Sequence, residues 1–457
     1  MGGKRLVLLC LLLSSLCGGL AIPVFLKTAE DLLDWWQPAV VYQIYPRSFK
    51  DTDDDGMGDL RGIIEKIGYL KHLGVDAVWL SPIYPTADAD FGYDIKDYIN
   101  IDPRFGDMYT FLQLADGLEK AGIKLIMDFV PNHSSNQHPW FVKSKNNHPA
   151  FADYYVWSPS IPNNWVSLIV SMGTVSGFGG SAWEYDETRK AYYLHQFLKE
   201  QPDLNYAHPR LLEDMKDVLK YWTNNGVDGF RMDAVYTIWE DNYDSDEPYT
   251  CDDHANYGCL NHTYTADREG TYGVLTQFRE VLDEVTKQKG THTRIMMTES
   301  YSNDRNKILK YYGTKSKPIA HFPFNFDLIT RLNKDSTASD WANVINEYLE
   351  AINGVGWPNW VLGNHDQRRV ANRFGREMGD PLNMLGLVLK GTMVSYQGEE
   401  LVMENSEVRW DQAQDPQGIR AGLQHFYESS RDPQRGPFIW DDTKNAGTQS
   451  KFNLNSN

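Results

Sequence analysis

The stretch Gly229-Phe-Arg-Met-Asp-Ala-Val235 decides the fold of this 457-residue chain, because it joins a short apolar strand pattern directly to a carboxylate. Two other stretches repeat this design: Lys124–Phe129 is followed by His133, and Ile295–Glu299 ends in a glutamate. Parallel barrels carry their catalytic groups at the carboxyl ends of the strands. The three stretches therefore predict strands of one parallel sheet whose ends form a common site.

Eight runs of this kind occur along the chain. The predicted strands are Val40–Tyr45, Ala77–Leu80, Lys124–Phe129, Gly229–Asp233, Ile295–Glu299, Ala320–Pro323, Asn359–Leu362 and Thr392–Tyr396. Apolar residues at helical spacing predict helices between them, over Leu60–Leu73, Tyr109–Ala121, Leu211–Asn224 and Thr271–Lys287. Eight strands that alternate with helices indicate an α/β protein, and we predict a (β/α)8 TIM barrel.

One interval breaks the regular spacing of the strands. The segment between the third and fourth strands is far too long for one helix and two loops, and it is rich in Pro, Asn, Trp and Tyr. We therefore predict a first part of the barrel over residues 22–132, an inserted subdomain over 133–208 and the remainder of the barrel over 209–442. Residues 443–457 are a polar tail.

The amino terminus has the pattern of an export signal. Lys4 and Arg5 precede an apolar run over residues 6–13, and small residues follow up to Ala21. This pattern predicts a signal peptide over residues 1–21 and a secreted protein. A membrane anchor is the alternative, but the apolar run is short for a bilayer. No later stretch has the pattern of a transmembrane helix.

The charge balance excludes two classes of partner. The formal net charge is −18, and removal of Lys4 and Arg5 with the signal peptide changes it to −20. A strongly acidic surface repels nucleic acid and anionic lipid. We therefore expect neither as a partner, although the charge does not select among neutral substrates.

Two cysteines remain after the predicted signal peptide, Cys251 and Cys259. In an exported protein such a close pair predicts a disulfide that closes a surface loop. A zinc site that recruits nearby histidines is the alternative. The sequon that begins at Asn261 lies in the same loop and predicts N-glycosylation. A second sequon begins at Asn132, but it falls where we predict the active site.

Four motifs follow the predicted strands in order. They are Asp128-Phe-Val-Pro-Asn-His133, Gly229-Phe-Arg-Met-Asp-Ala-Val235, Thr298-Glu-Ser300 and Asn364-His-Asp366. They resemble the signature regions of glycoside hydrolase family 13, the α-amylase family. A fifth motif, Gln201-Pro-Asp-Leu-Asn205, resembles the marker of its oligo-1,6-glucosidase and α-glucosidase branch. The likeness covers Trp36 to Asp442 and is greatest to insect maltases, which implies an α-glucosidase.

The resemblance implies a retaining mechanism. Asp233 would be the nucleophile and Glu299 the general acid and base, while Asp366 would bind sugar hydroxyls and stabilise the transition state. Retention needs two carboxyl groups about 5 Å apart, and adjacent strands lie about 4.8 Å apart. Arg231 faces the same side of its strand as Asp233 and should keep that carboxylate ionised. Repulsion by Asp233 and Asp366 should raise the pKa of Glu299.

The resemblance also assigns contacts to the terminal glucose. Two family histidines that hydrogen-bond this sugar correspond to His133 and His365. Tyr93 would be the aromatic platform under the ring, and Phe197 would be a further substrate contact. These residues would surround one sugar unit.

Three further residues bear on specificity. Asp90 would pair with Arg435, grip the far hydroxyl and close the pocket behind one glucose. A closed pocket implies an exo-acting enzyme. The small residue Ala234 follows the nucleophile and, by the resemblance, favours α-1,4 linkages. Maltose, sucrose and short malto-oligosaccharides are therefore the expected substrates.

The acidic loop Asp51-Thr-Asp-Asp-Asp-Gly-Met-Gly-Asp59 has the spacing of a calcium loop. The predicted ligands are the carboxylates of Asp51, Asp53, Asp55 and Asp59 and the carbonyl of Met57. Position 12 is Gly62, so the glutamate of an EF-hand is absent. The resemblance likewise implies structural Ca²⁺ in this loop. A solvated acidic turn is the alternative.

Two departures from the family pattern bear on activity. The apolar stretch Val166–Phe178 makes the inserted subdomain about ten residues longer than we expect from the resemblance, near the expected pocket rim. The family also has a C-terminal antiparallel β-domain after the segment Phe438-Ile-Trp-Asp441, where this chain has only its polar tail. We therefore expect that domain to be missing or truncated.

Two other functions are compatible with the sequence. An α-amylase or a transglucosylating relative would use the same catalytic pair, and product analysis would separate it from a glucosidase. A catalytically silent binding protein or receptor could share the fold. The presence of Arg231, Asp233, Glu299, His365 and Asp366 argues against that silent protein. The sequence does not indicate the oligomeric state.

Overall fold

Thirteen strands are found in the computed structural model, which describes residues 33–165, 180–252, 257–302, 304–442 and 447. The predicted signal peptide, the stretch 166–178 and almost all of the polar tail lie outside these residues. The chain divides into two units, Met1–Trp35 and Trp36–Asn457. The described elements belong to the second unit.

The strands in chain order are β1 Val40–Ile44, β2 Ala77–Leu80, β3 Lys124–Phe129, β4 Trp157–Ser158, β5 Trp183–Asp186, β6 Ala191–Leu194, β7 Gly229–Met232, β8 Ile295–Thr298, β9 Gly313–Thr314, β10 Lys317–Pro318, β11 Phe322–Pro323, β12 Asn359–Val361 and β13 Thr392–Tyr396. Eight of them form one sheet in the order β11-β8-β7-β3-β2-β1-β13-β12. Every pair of neighbours in this sheet is parallel. The predicted (β/α)8 barrel is confirmed.

Side-chain hydrogen bonds join the two edge strands of this sheet. Asn359 Nδ2 donates to the carbonyl of Pro323 at 2.7 Å, and Asn359 Oδ1 accepts from the backbone N–H of Asn325 at 2.8 Å. Asn359 is fully buried. The buried side-chain amide of Asn359 therefore has a partner for its donor and for its acceptor, and these bonds hold the ends of β11 and β12 together.

The helices are α1 Leu60–Glu65, α2 Ile67–Leu73, α3 Met108–Ala121, α4 Pro139–Lys145, α5 Pro209–Asn224, α6 Glu269–Lys289, α7 Arg305–Lys310, α8 Asp327–Thr330, α9 Ala338–Ile352, α10 Val370–Phe374, α11 Gly379–Val388, α12 Pro416–Ala421 and α13 Phe426–Ser429. The prediction of one helix over 60–73 is wrong in one respect, because Lys66 interrupts it. No helix in the described part of the chain is both long and apolar enough to span a bilayer.

The sixth barrel strand is shorter than predicted. Its residues Phe322 and Pro323 pair with β8, but Ala320 does not belong to the strand. The backbone N–H of Ala320 instead donates to the carbonyl of Tyr311, just beyond α7, at 2.8 Å. This competing hydrogen bond removes the donor that a longer strand would need.

The barrel strands are buried on both faces, as expected for a parallel sheet that is covered by helices. Strands β2, β7 and β8 consist entirely of buried residues. The largest fully buried side chains include Trp79 on β2, Trp222 on α5 and Trp360 on β12. This packing fixes the positions of the strand ends, and those ends form the site.

The segment between β3 and β7 contains α4 and a separate antiparallel sheet. Strand β6 lies in the centre of this sheet and pairs with both β4 and β5. Isolated bridges within the segment pair His133, shortly after β3, with Asp203, and Tyr155 with Leu204. The segment thus brings its own residues to the mouth of the barrel.

Candidate active site

The predicted motifs meet at the carboxyl ends of the barrel strands. Backbone hydrogen bonds continue the sheet beyond the strand ends, from Asp233 N–H to the Phe129 carbonyl (2.8 Å) and from Glu299 N–H to the Met232 carbonyl (3.0 Å). The bond from Val235 N–H to the Glu299 carbonyl (3.2 Å) ties the two segments together. Asp233 and Glu299 are therefore held side by side, with 8% and 5% of their surfaces exposed.

Arg231 is the centre of the charge network at these strand ends. Its Nη1 atom lies 2.9 Å from Asp128 Oδ1 and 2.5 Å from Asp233 Oδ1, and its Nη2 atom lies 2.7 Å from Glu299 Oε1. The guanidinium also lies 5.1 Å from the ring centre of Trp79. One buried cation thus contacts three carboxyl groups, two of which are the predicted nucleophile and acid.

Ala234 has a left-handed backbone conformation, with φ of 43°. This conformation is strained for β-branched residues, which explains a small side chain here. It turns the backbone N–H of Ala234 toward Glu299 Oε2, at 3.0 Å. The carboxyl of Glu299 is therefore fixed from two sides, by Arg231 and by this N–H.

The two predicted catalytic carboxyls have raised pKa values. Burial raises the pKa of Asp233 to about 7, against the opposing charge of Arg231. Burial, with the charges of Asp233 and Asp366, raises the pKa of Glu299 to about 8. Repulsion was the expected cause for Glu299, but burial is the larger one. Arg231 lowers the pKa of Asp233, as expected, but burial is the larger effect and the net shift is upward.

Asp366 has the opposite environment. Arg435 Nη2 lies 2.7 Å and Arg431 Nη1 lies 3.5 Å from its Oδ1 atom. Burial alone would raise the pKa of Asp366, but interactions with His365, Arg435 and Arg431 together outweigh burial and hold it well below its usual range. Asp366 therefore carries a negative charge at neutral pH.

The predicted pair of Asp90 and Arg435 is wrong. Asp90 Oδ1 instead lies 2.7 Å from Arg431 Nη2, and Arg431 also contacts Asp415 at 2.7 Å. Arg435 contacts Asp366 and donates from Nε to the carbonyl of His365 at 3.0 Å. Arg431 and Arg435 lie four residues apart in one loop, and the sequence alone does not show which of them pairs with Asp90.

Both predicted histidines are buried and neutral. Burial lowers the pKa of His133 and the pKa of His365 to about 3. His365 stacks on Tyr93 with ring planes 8° apart, and its Nε2 atom lies 2.6 Å from the Tyr93 hydroxyl. His133 Nε2 lies 3.1 Å from the Tyr93 carbonyl and 3.0 Å from Gln201 Nε2. Neutral imidazoles suit hydrogen bonds to sugar hydroxyls.

These residues enclose a cavity of about 280 Å³. Its walls include nine predicted or motif residues, namely Asp90, Tyr93, His133, Phe197, Gln201, Asp233, Ala234, Glu299 and Asp366. Arg431, Tyr301 and Gln417 also line it, and the sequence reasoning did not single them out. Arg231, His365 and Arg435 do not line the cavity but contact residues that do.

Three of the predicted calcium ligands come together. Carboxyl oxygens of Asp51, Asp53 and Asp59 lie within 4.8 Å of one another, whereas Asp55 is not in this group. Asp55 accepts from the backbone N–H of Met57 at 2.8 Å, and burial with nearby acidic charges raises its pKa. Closely spaced hard oxygen donors suit a divalent cation such as Ca²⁺.

Cys251 and Cys259 are joined by a disulfide, with their Cα atoms 5.2 Å apart. The sequon residue Asn261 is exposed two positions later. Asn132, in the other sequon, is buried and donates to Asp203 at 3.1 Å. A glycan could therefore reach Asn261 but not Asn132.

Comparison with known proteins identifies the class of this fold and site. The catalytic-domain model of the α-amylase family matches residues 43–456, so the chain belongs to the α-amylase family. It is 44% identical to the salivary alpha-glucosidase of Aedes aegypti over 91% of this chain and 72% of that protein. It is also 44% identical to maltase 1 of Drosophila virilis, over 92% of this chain and 67% of that protein.

A solved structure of an alpha-glucosyl transfer enzyme is also similar. It superposes with a TM-score of 0.81 at 34% identity, over 92% of this chain and 77% of that one. The resemblance to family 13 and to insect maltases is thereby confirmed. The role of each site residue stays a prediction.

Proposed function

We propose that this protein is a retaining, exo-acting α-glucosidase that removes terminal α-1,4-linked glucose from maltose, sucrose or short malto-oligosaccharides. One observation carries the proposal: Asp233 and Glu299 share the Arg231 guanidinium at the wall of a cavity of about 280 Å³. The 44% identity to an alpha-glucosidase and to a maltase supports the same activity.

The reaction proceeds in two displacements. Asp233 attacks the anomeric carbon, the bond from that carbon to the leaving oxygen breaks, and Glu299 donates its proton to that oxygen. Water then attacks the same carbon, Glu299 accepts a proton from the water, and the ester bond to Asp233 breaks. Burial, with the charges of Asp233 and Asp366, raises the pKa of Glu299, which favours the protonated acid that the first step needs, while Arg231 favours the ionised form of Asp233.

A second charged cluster at the cavity provides contacts for a terminal glucose. Arg431 bridges the buried carboxylates of Asp90 and Asp415, and Asp366 lies beside it. Ionised groups that are fixed by such contacts form strong hydrogen bonds with sugar hydroxyls. We propose that Asp90, Arg431 and Asp366 bind the terminal glucose, with Tyr93, His133 and Phe197 around its ring.

Product analysis tests this proposal. We expect maltotriose to release single glucose units, with the α-anomer formed first as seen by proton NMR. Asp233→Asn should abolish release, whereas the exposed control Asp335→Asn should retain it. Initial release of the β-anomer, or of maltose from longer chains, would contradict the proposal.

Glucosyl transfer is the second candidate. The similarity to a solved alpha-glucosyl transfer enzyme favours it, because a sugar hydroxyl can replace water in the second displacement. Transfer would give products longer than the substrate. At high maltose concentration, chromatography should then show trisaccharide, whereas a strict hydrolase gives only glucose.

We further propose that the acidic loop holds structural Ca²⁺ through Asp51, Asp53 and Asp59, with the Met57 carbonyl and Asp55 as further predicted ligands. Bound Ca²⁺ would neutralise the mutual repulsion of these carboxylates. EDTA should lower the Tm and added Ca²⁺ should restore it, while Asp53→Asn should weaken this response. A Tm that changes with neither EDTA nor added Ca²⁺ would contradict a structural Ca²⁺ in this loop.

We also propose that the protein is secreted after cleavage of residues 1–21 and is glycosylated at Asn261. The names of the salivary relatives and the exposure of Asn261 support this. Expression in a secretory host should give a protein in the medium that begins at Ile22. Asn261→Gln should increase its gel mobility, whereas Asn132→Gln should not.

A further inference from the structure

A second cavity, of about 290 Å³, is as large as the catalytic cavity of about 280 Å³. Its walls come from the segment after β8, from α7, from the segment between β11 and α8, from α8 itself and from α9. Tyr301 lines both cavities, and its ring stacks on Phe326 at 4.2 Å with planes 10° apart. The predicted catalytic and binding residues do not line this second cavity.

The charged residues of the second cavity are paired with one another. Arg305 Nη2 lies 2.7 Å from Asp327 Oδ2, and Arg331 Nη2 lies 2.6 Å from Glu347 Oε2. Arg331 Nη1 also lies 3.6 Å from the Asp327 carboxylate. Two cations thus balance two anions, so the lining favours neither an anionic nor a cationic ligand.

The remaining lining suits a polyhydroxylated ring. Ser300, Ser302, Thr330 and the Asn325 amide offer hydrogen-bonding groups beside the ion pairs. Phe324, Phe326 and Tyr348 add aromatic carbon to the lining, with Tyr301 covering one face of the Phe326 ring. A sugar ring has hydroxyls around its edge and apolar C–H faces, so it can use the polar and the aromatic groups together.

We propose that this cavity is a second sugar site that takes one neutral hexose unit. The comparison of volumes supports a single ring, because the similarly sized catalytic cavity is the one to which we assign one glucose. This use of the catalytic cavity rests on the proposed function, whereas the lining chemistry of the second cavity does not.

Tyr301 gives the second site a connection to the reaction centre. Its hydroxyl accepts a hydrogen bond from Asn364 Nδ2 at 3.2 Å, and Asn364 Oδ1 accepts from the backbone N–H of Asp366 at 2.9 Å. A sugar in the second cavity would contact the tyrosine that also lines the catalytic cavity. Glucose is also the product of the proposed reaction, so it is the hexose that we expect to bind in the second cavity.

Equilibrium dialysis with labelled D-glucose tests the proposal on the whole chain. We expect two equivalents bound to wild type and one to Asp90→Ala, which loses the catalytic site. Arg331→Met should weaken the second site about tenfold, as expected for one lost charged hydrogen bond. Arg409→Met is the matched control, because Arg409 forms an exposed ion pair with Asp411, and it should bind two equivalents.

Thr330→Trp provides a second variant, because it fills the cavity from an exposed position and keeps both ion pairs. It should also bind one equivalent. An unchanged second-site affinity in Arg331→Met together with two equivalents in Thr330→Trp would overturn the second site, as would one equivalent in wild type with none in Asp90→Ala. Glycine is titrated in parallel, and saturable glycine binding without glucose binding would assign the cavity to amino-acid zwitterions. Absence of maltose hydrolysis would overturn the proposed function and leave these stoichiometries interpretable.

Discussion

The two walls of the catalytic cavity hold similar numbers of carboxylates but different numbers of arginines. On one wall, Arg231 alone contacts Asp128, Asp233 and Glu299. On the other wall, Arg431 and Arg435 together contact Asp90, Asp366 and Asp415. We refer to these as the Arg231 wall and the Arg431 wall.

The pKa values of the carboxyls differ between the two walls, because the number of arginines per carboxyl differs. On the Arg231 wall burial outweighs the single cation, and it raises the pKa of Asp128 to about 6, of Asp233 to about 7 and of Glu299 to about 8. On the Arg431 wall the cations overcome burial and lower the pKa of Asp366 and of Asp415. Asp90 is the exception, because burial raises its pKa despite Arg431.

These different pKa values suit the two walls of the cavity to two different functions. Groups that titrate near neutral pH can exchange protons during a reaction, which a general acid and base must do. Groups that stay ionised provide constant hydrogen-bond acceptors for sugar hydroxyls. We infer that the Arg231 wall performs the chemistry and the Arg431 wall binds the substrate, and four predictions test this division.

The largest effect is expected for the general acid. Glu299→Gln should lower kcat by about 10²–10⁴-fold, because no proton reaches the leaving oxygen. It should also remove the alkaline limb of the pH profile. Glu399→Gln is the matched control, since burial raises the pKa of Glu399 to about 7 outside the cavity. Equal losses in both variants would contradict a special role for Glu299.

The next effect concerns the single cation of the Arg231 wall. Arg231→Met should lower the free energy of unfolding at pH 7 by about 3–5 kcal/mol, because it leaves buried carboxylates without their partner. The loss should shrink toward pH 5, because without the cation these carboxyls must take up protons on folding, and this uptake costs less free energy at lower pH. Urea unfolding at both pH values measures this. A loss that is independent of pH would show that packing, rather than charge, is the cause.

A smaller effect is expected on the Arg431 wall. Arg431→Lys keeps the positive charge but loses the planar guanidinium, whose several N–H groups contact Asp90 and Asp415 together. It should lower kcat/KM by about 10–100-fold, the range expected for a charged hydrogen bond, and mainly by raising KM. Arg409→Lys is the exposed control. A pure loss of kcat would instead place Arg431 on the chemical side of the cavity.

The sequence allowed the Arg231 wall to be located because its residues lie within or directly after strands. Strand order and periodicity place Arg231, Asp233 and Glu299 without knowledge of the loops. The Arg431 wall depends on a loop distant in sequence from the carboxylates that it meets. Arg431 and Arg435 both contact carboxylates of this wall, and only the folded backbone assigns Asp90 to Arg431.

The pKa of Asp233 could not be predicted from the sequence for a related reason. Its arginine neighbour is visible two positions away, and this alone indicates a lowered pKa. Burial acts in the opposite direction and arises from residues that several strands contribute. The sign of the shift is therefore a property of the assembled site.

The smallest predicted effect is the pH dependence of stability. The pKa values of Asp233 and Glu299, about 7 and about 8, lie above the usual values of such carboxyls. Between about pH 4 and pH 7 the folded chain therefore holds protons that the unfolded chain releases, so these two groups lower the free energy of unfolding as the pH rises. The lowered pKa of Asp366 acts only in more acidic solution, where its contribution to stability is lost as the pH falls.

Asp233→Asn should make the decline in stability between about pH 5 and pH 7 shallower, whereas Asp335→Asn should not, and urea unfolding at several pH values measures both. An unchanged slope in Asp233→Asn would mean that the Arg231 wall is ionised throughout this range, and the division between the two walls would then rest on geometry alone.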